Sequence, residues 1–460
     1  MIKNFKWLLL VSLSFVACNN DDDNPVVEEP AVVIVPGSAN FSKYVALGDS
    51  FAAGYSDNAL YKKGQENAYP NILAQQFALA GGGSFTTPFM TDDNIGGFSS
   101  GGIQVSKFPT RLYFNGTVPV NVSGVSATVL GSSLPAPRVF NNMGLPGAKS
   151  FHLLAPGYGN PAGLMVSPAT ANPYFVRFAS STTATVLGDA LAQNPTFFSL
   201  WIGGNDVLGY ATNGGVPTSQ DANLGNDITP PATFNAVYNN LAANLSAGGR
   251  KGVVAGLPNI SALPYFRTVP FNPVGLTAEK AAALNGAYAQ YNGGLAQAQG
   301  AGMISVEEKA RRTITFKVGV NAVVIVDSYL TNLGALGLPS YRQATADDFL
   351  VLPSSSFIGT LVGGNVNLIN GVTVPLGDQW VLSKEEIAEV KTATDAYNIT
   401  IKAAATANNL AYVDTAVVMD QLLNGGIPYE GGYVLKSDFI FGGAFSPDGA
   451  HPPGRGYAMI

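Results

Sequence analysis

Tyr44-Val45-Ala46-Leu47-Gly48-Asp49-Ser50-Phe51 is the stretch on which the fold turns. Four apolar residues run into Gly-Asp-Ser, and helix-like spacing resumes from Tyr69 to Ala80, so the pattern is strand, turn, helix. Further strand candidates lie at Arg138 to Phe140, Thr196 to Ile202, Gly252 to Ala255 and Ala411 to Val413. Helical spacing fills Thr183 to Gln193, Pro231 to Ala247 and Leu276 to Gln299. Strands that alternate with helices imply a parallel sheet covered on both faces. The helix opening at Ser383 is the clearest, because Ser383 and Glu386 form a capping box ahead of Ile387, Val390, Tyr397, Ile401 and Ala404 at helical spacing.

Two stretches break the rhythm. About 81–137 is rich in Gly, Ser, Thr and Val, with alternating runs such as Thr117 to Ser123, and about 313–374 is similar, with an apolar run from Val318 to Val326. Both read as β-rich insertions, and neither has the fixed internal period of a repeat protein.

An apolar share of 47% argues against disorder throughout, and the formal charge of −6 comes without a basic patch, which sets nucleic-acid partners aside. A single cysteine excludes an intramolecular disulfide, and two histidines leave no Cys- or His-rich zinc site. No cofactor is expected. At the N-terminus, Lys3 and Lys6 precede an apolar run from Trp7 to Ala17, too short to span a bilayer but suited to an export signal. Phe15-Val16-Ala17-Cys18 resembles the lipobox of bacterial lipoproteins, with Phe15 where Leu is usual. That resemblance implies a signal peptide over 1–17 and lipidation of Cys18. An acidic flexible tether over 18–40 and a single domain over 41–460 complete the expected organisation. The expected location is extracytoplasmic, anchored in a bacterial envelope membrane, the outer one by preference. The acidic run after Cys18 suggests outward display.

With no thiol left after lipidation and no phosphate loop, the chemistry within reach is a serine nucleophile with a histidine base. Gly97-Phe98-Ser99-Ser100-Gly101 matches the G-x-S-x-G elbow in letters. Thr91 to Gly96 is polar, however, and the residues after Gly101 are strand-like and Gly-rich, so the strand and helix that elbow needs are lacking. Ser50 ends a strand and opens a helix, where its N–H sits unpaired at the positive end of the helix dipole. An isolated Gly-Asp-Ser is more readily a plain N-cap. The C-terminal segment alters that balance. Asp448 and His451 are three apart, so in a helical turn the carboxylate can hold Nδ1–H while Nε2 faces a hydroxyl, and Pro452-Pro453 ends the turn. His152, among apolar neighbours in Ser150-Phe151-His152-Leu153-Leu154, reads as a packing residue. Gly147, in Asn142-Met143-Gly144-Leu145-Pro146-Gly147-Ala148, can present an N–H at close approach, and Asn205, in Ile202-Gly203-Gly204-Asn205-Asp206, offers an amide donor.

In this order, Ala46 to Phe51, Asn142 to Ala148, Ile202 to Asp206 and Asp448 to Pro452 resemble the four motifs of the GDSL family of SGNH hydrolases, across roughly 43–460. The resemblance implies a flavodoxin-like three-layer α/β/α sandwich on a five-stranded parallel sheet. It also implies Ser50 as nucleophile, His451 as base oriented by Asp448, and an oxyanion hole from Ser50 N–H, Gly147 N–H and the Asn205 side chain. Asp49 and Asp206 fall to turn-stabilising roles. Phe51 stands where the family name has Leu, and Gly456-Tyr457-Ala458 looks like the first turn of a closing helix that continues further in other members. The implied activity is ester hydrolysis through an acyl-enzyme. The candidate substrates are acylated glycans, short-chain esters and lipids. The alternatives are a surface binding or adhesion lipoprotein on the same scaffold, and an acyltransferase using the same serine.

Overall fold

The computed structural model describes residues 34–217 and 225–460, and the expected signal segment, Cys18 and most of the tether lie outside them. Residues 36–460 form one compact unit. Its centre is a five-stranded sheet of β1 (Tyr44–Gly48), β2 (Asn142–Gly144), β3 (Phe197–Trp201), β4 (Lys251–Ala255) and β5 (Ala411–Val413), in spatial order β5-β4-β3-β1-β2. Every pairing is parallel. An order of 2-1-3-4-5 is the flavodoxin-like winding, whose ligand crevice opens outside the carboxyl ends of the strands between β1 and β3.

β1 shows why the sheet is covered twice. All five of its residues are buried, and alternate side chains belong to different layers. Tyr44 and Ala46 pack on Leu73 and Phe77 of α2 (Tyr69–Ala78), while Val45 and Leu47 enter the main core. That core also takes in α3 (Val186–Ala192), α5 (Pro231–Ser246) and α7 (Lys384–Ala407). α7 starts with the expected capping box, Ser383 N–H donating to Glu386 Oε2 at 2.7 Å. α1 (Ser50–Ala53) and α4 (Asn205–Thr212) follow β1 and β3 directly. Further helices include α6 (Ala278–Gly300), α8 (Thr415–Leu423) and α9 (Gly454–Met459). Among the described residues, no helix is long and apolar enough to cross a membrane.

One strand lies later than the sequence suggests. Arg138 to Phe140 carries the apolar signal, yet β2 is Asn142-Met143-Gly144. Space and hydrogen bonding outweigh propensity there. A Cβ on Gly144 would stand 2.2 Å from Ala53 N, and Asn142 Nδ2 donates to Ala52 O at 2.9 Å, so the absence of a side chain at 144 and the amide at 142 let β2 lie against α1. The run from Val318 to Val326 forms two short strands, Gly319–Asn321 and Val324–Val326, in separate two-stranded antiparallel sheets. The stretch 81–137 holds two short hairpins, Ser99–Ser100 with Ile103–Gln104 and Leu112–Phe114 with Pro119–Asn121, in otherwise irregular chain.

Gly144→Ala should cost about 1–3 kcal/mol, the usual range for overpacking a filled core. Gly293→Ala, in α6 with open space around its Cβ position, should be neutral or gain up to about 1 kcal/mol from helix propensity. Thermal unfolding of the two variants side by side checks the contrast.

Candidate active site

The carboxyl ends of β1, β2 and β3 lie side by side, and each delivers one expected residue. Ser50 follows β1 and is the first residue of α1. The turn is tight because Gly48 has no Cβ; one would stand 2.8 Å from Ala52 Cβ in α1 and 2.5 Å from Trp201 O of the neighbouring strand. Asp49 caps the helix, its Oδ1 accepting Phe51 N–H at 3.0 Å. Gly147, after β2, has φ +79°, in the left-handed region that suits glycine, and open space where a Cβ would point. Asn205, after β3, opens α4.

His451 arrives from the far end of the chain, 401 positions on, with Nε2 at 2.9 Å from Ser50 Oγ. Its Nδ1 lies 3.0 Å from Asp448 Oδ2. The two side chains meet through a turn rather than a helix. Asp448 Oδ1 accepts the N–H groups of Ala450 at 2.9 Å and His451 at 2.8 Å, and Gly449 takes φ +74° between them. Burial by itself would raise the Asp448 carboxyl, but the charge and hydrogen bonds of His451 and the Ala450 N–H outweigh it and bring it down to about 2. An ionised Asp448 acceptor assigns the proton to Nδ1 and leaves Nε2 to accept from the Ser50 hydroxyl.

The amide of Asn205 donates to Ala148 O at 3.0 Å, which fixes its orientation beside Gly147, and an amide carries a second N–H. Asp206 does more than stabilise its own turn. Fully buried, it accepts Ser150 N–H and Ser150 Oγ–H, both at 2.8 Å, and so braces the loop after β2 against the loop after β3. His152 is stacked on Tyr158 at 4.5 Å, its Nδ1 accepting Lys149 N–H. Ser99 of the G-x-S-x-G match is buried in its hairpin.

Several contacts had no sequence signal. The rings of Phe51 and Tyr55 lie 5.6 and 4.7 Å from that of His451. Tyr457 of α9 is buried and donates to Tyr55 O at 2.6 Å. An apolar cavity lies against His451 and Asp49, walled by Phe51, Trp201, Val207 and Leu208 and by Leu257, Pro258, Ile260 and Leu263 from the segment after β4. Among the described residues, no group of three or more His, Cys, Asp or Glu side chains could hold a metal ion.

No family model matches the chain, and no curated protein does. Among solved structures the chain is similar to an extracellular lipase from Streptomyces rimosus, at 13% identity and a TM-score of 0.30, with 90% of this chain and 94% of that one covered. A likeness that remote does not carry the lipase's activity over to this chain.

Asp49 is the unusual acid of the site. Burial raises its carboxyl to about 7, against the lowering effect of the Phe51 N–H and the His451 charge and with a further raising effect from Asp206. An ordinary carboxyl titrates near 3.8. Between pH about 4 and 7 the folded chain therefore binds more protons at Asp49 than the unfolded one, and this group's contribution to stability falls as pH rises through that window. Asp49→Asn keeps an oxygen for Phe51 N–H and removes the titration. The melting temperature of the variant should rise relative to wild type from pH 4 to pH 7; an unchanged gap would count against a neutral, buried Asp49.

Proposed function

We propose that the chain is a serine ester hydrolase of the GDSL type. The observation that carries the reading is the continuous contact from Asp448 Oδ2 through His451 Nδ1 and Nε2 to Ser50 Oγ, at 3.0 and 2.9 Å. In this reading Ser50 Oγ attacks the ester carbonyl carbon while its proton passes to His451 Nε2, and Asp448 stabilises the imidazolium. The carbonyl oxygen, now an oxyanion, takes donors from Ser50 N–H, Gly147 N–H and Asn205 Nδ2. Collapse of the intermediate breaks the bond to the alcohol oxygen, which leaves with the proton from Nε2. Water, deprotonated by the same nitrogen, then attacks the acyl-enzyme and releases the acid with Ser50 restored.

The apolar cavity beside His451, about 40 Å³, favours a small acyl group over a long aliphatic chain as the part of the substrate held there. The anchor at Cys18 belongs to the same proposal and rests on the sequence alone.

Ser50→Ala should abolish cleavage of short p-nitrophenyl esters and labelling by a fluorophosphonate probe. Asn205→Ala should cost about 10²–10³ in kcat, the usual loss for one oxyanion donor. Full turnover by a folded Ser50→Ala protein would refute the assignment.

A further inference from the structure

Just after α1 the chain makes a turn that residues other than glycine rarely adopt. Asp57 and Asn58 have φ of 55° and 61°, two consecutive residues in the left-handed region. Asp and Asn tolerate that region better than most, yet it persists only where the surroundings enforce it.

The surroundings here come from two distant parts of the chain. Ser446, fully buried, accepts Asp57 N–H on its Oγ at 2.9 Å and donates its own N–H to His451 O at 2.8 Å. From the first insertion, Leu112 N–H donates to Asp57 O at 2.7 Å, and Arg111 Nη1 lies 3.9 Å from Asp57 Oδ2. Tyr61 donates its hydroxyl to the same Oδ2 at 2.5 Å and lies under the Arg111 guanidinium. So held, the turn aims Asn58 N–H at Asp448 Oδ2 from 2.9 Å. That is the oxygen facing His451 Nδ1.

We infer that the Asp57-Asn58 turn, locked by Arg111 and Leu112 of the first insertion, is a positioning device for the acid that orients His451. The inference rests on the reading of Ser50, His451 and Asp448 as a triad. Asp448 Oδ1 is already fixed by two backbone N–H groups of its own turn. Oδ2 would otherwise be located by the imidazole alone, whose charge changes in each half-reaction. A backbone donor holds that oxygen in place throughout and keeps the imidazole in its reactive orientation. The insertion then becomes part of the catalytic framework rather than decoration.

The test compares Asn58→Val with Asn58→Gly in the full chain. A β-branched residue resists positive φ, whereas glycine adopts it freely and keeps the N–H. On a short p-nitrophenyl ester, Asn58→Val should lower kcat about tenfold with KM little changed, the pattern of a lost alignment rather than lost binding, and Asn58→Gly should recover most of the loss. The downfield proton resonance of His451 Nδ1–H, identified by its loss in His451→Gln, should shift in the valine variant and return in the glycine variant. Should the valine variant fail to fold, Arg111→Met leaves the turn's own residues in place and should shift the same resonance in the same direction. A folded valine variant, or the Arg111→Met protein in its stead, with wild-type kcat and an unmoved resonance overturns the inference. The resonance is read without substrate, so a shift together with absent Ser50-dependent hydrolysis would uphold the positioning role and remove only the hydrolase reading.

Discussion

A strand hydrogen-bonded along both edges and buried on both faces has only its ends left for chemistry, and β1 is such a strand. Its carboxyl end lies at the point where the winding of the sheet reverses, between β2 on one side and β3 on the other. The rest of the site follows from that placement. The close approach of neighbouring backbones requires Gly48 and Gly144, the tight exit presents Ser50 at the start of a helix, and the loops after β2 and β3 lie within reach of it. The insertions leave the sheet itself alone because they enter through loops, where added length costs little.

Electrostatics then sorts three buried acids by what each touches. Asp448 has an imidazole and backbone donors, which outweigh its burial and keep it ionised. Asp206 receives the hydroxyl and N–H of Ser150, but burial prevails and its carboxyl stays above the ordinary value. Asp49 has the Phe51 N–H and the His451 charge to lower it and Asp206 to raise it, and burial prevails and takes its carboxyl to about 7. One residue type thus fills three places, as imidazole partner, loop brace and helix cap, according to the donors that meet it.

Much of this is legible in the chain. The alternation of apolar runs and helical spacing identifies the parallel sheet, four of its five strands near their observed positions, and the capping box at Ser383. β2 escapes because its residues are poor strand formers, retained where a backbone must fit against α1. The Asp448 to His451 spacing suits a helical turn, whereas in the fold the carboxylate itself organises the turn by accepting two N–H groups. Asp206 reads as a local residue because the partner that gives it its role, Ser150, lies 56 positions away.

The linear chain dictates which groups are available: a serine after Gly-Asp at the end of an apolar run, one histidine ahead of two prolines with an acid three residues before it, and too few other histidines or cysteines for a Cys- or His-rich metal site. Local spacing sets directions and composition sets chemical type, and both are written in the order of residues. It takes the folded molecule to bring Ser50 Oγ and His451 Nε2 to 2.9 Å, and to carry an insertion back to Asp57 beside the acid. Hydrogen bonds are made or lost within a few tenths of an ångström. Precision of that kind comes from the packed sheet and core that hold distant segments against one another, not from any pattern along the chain.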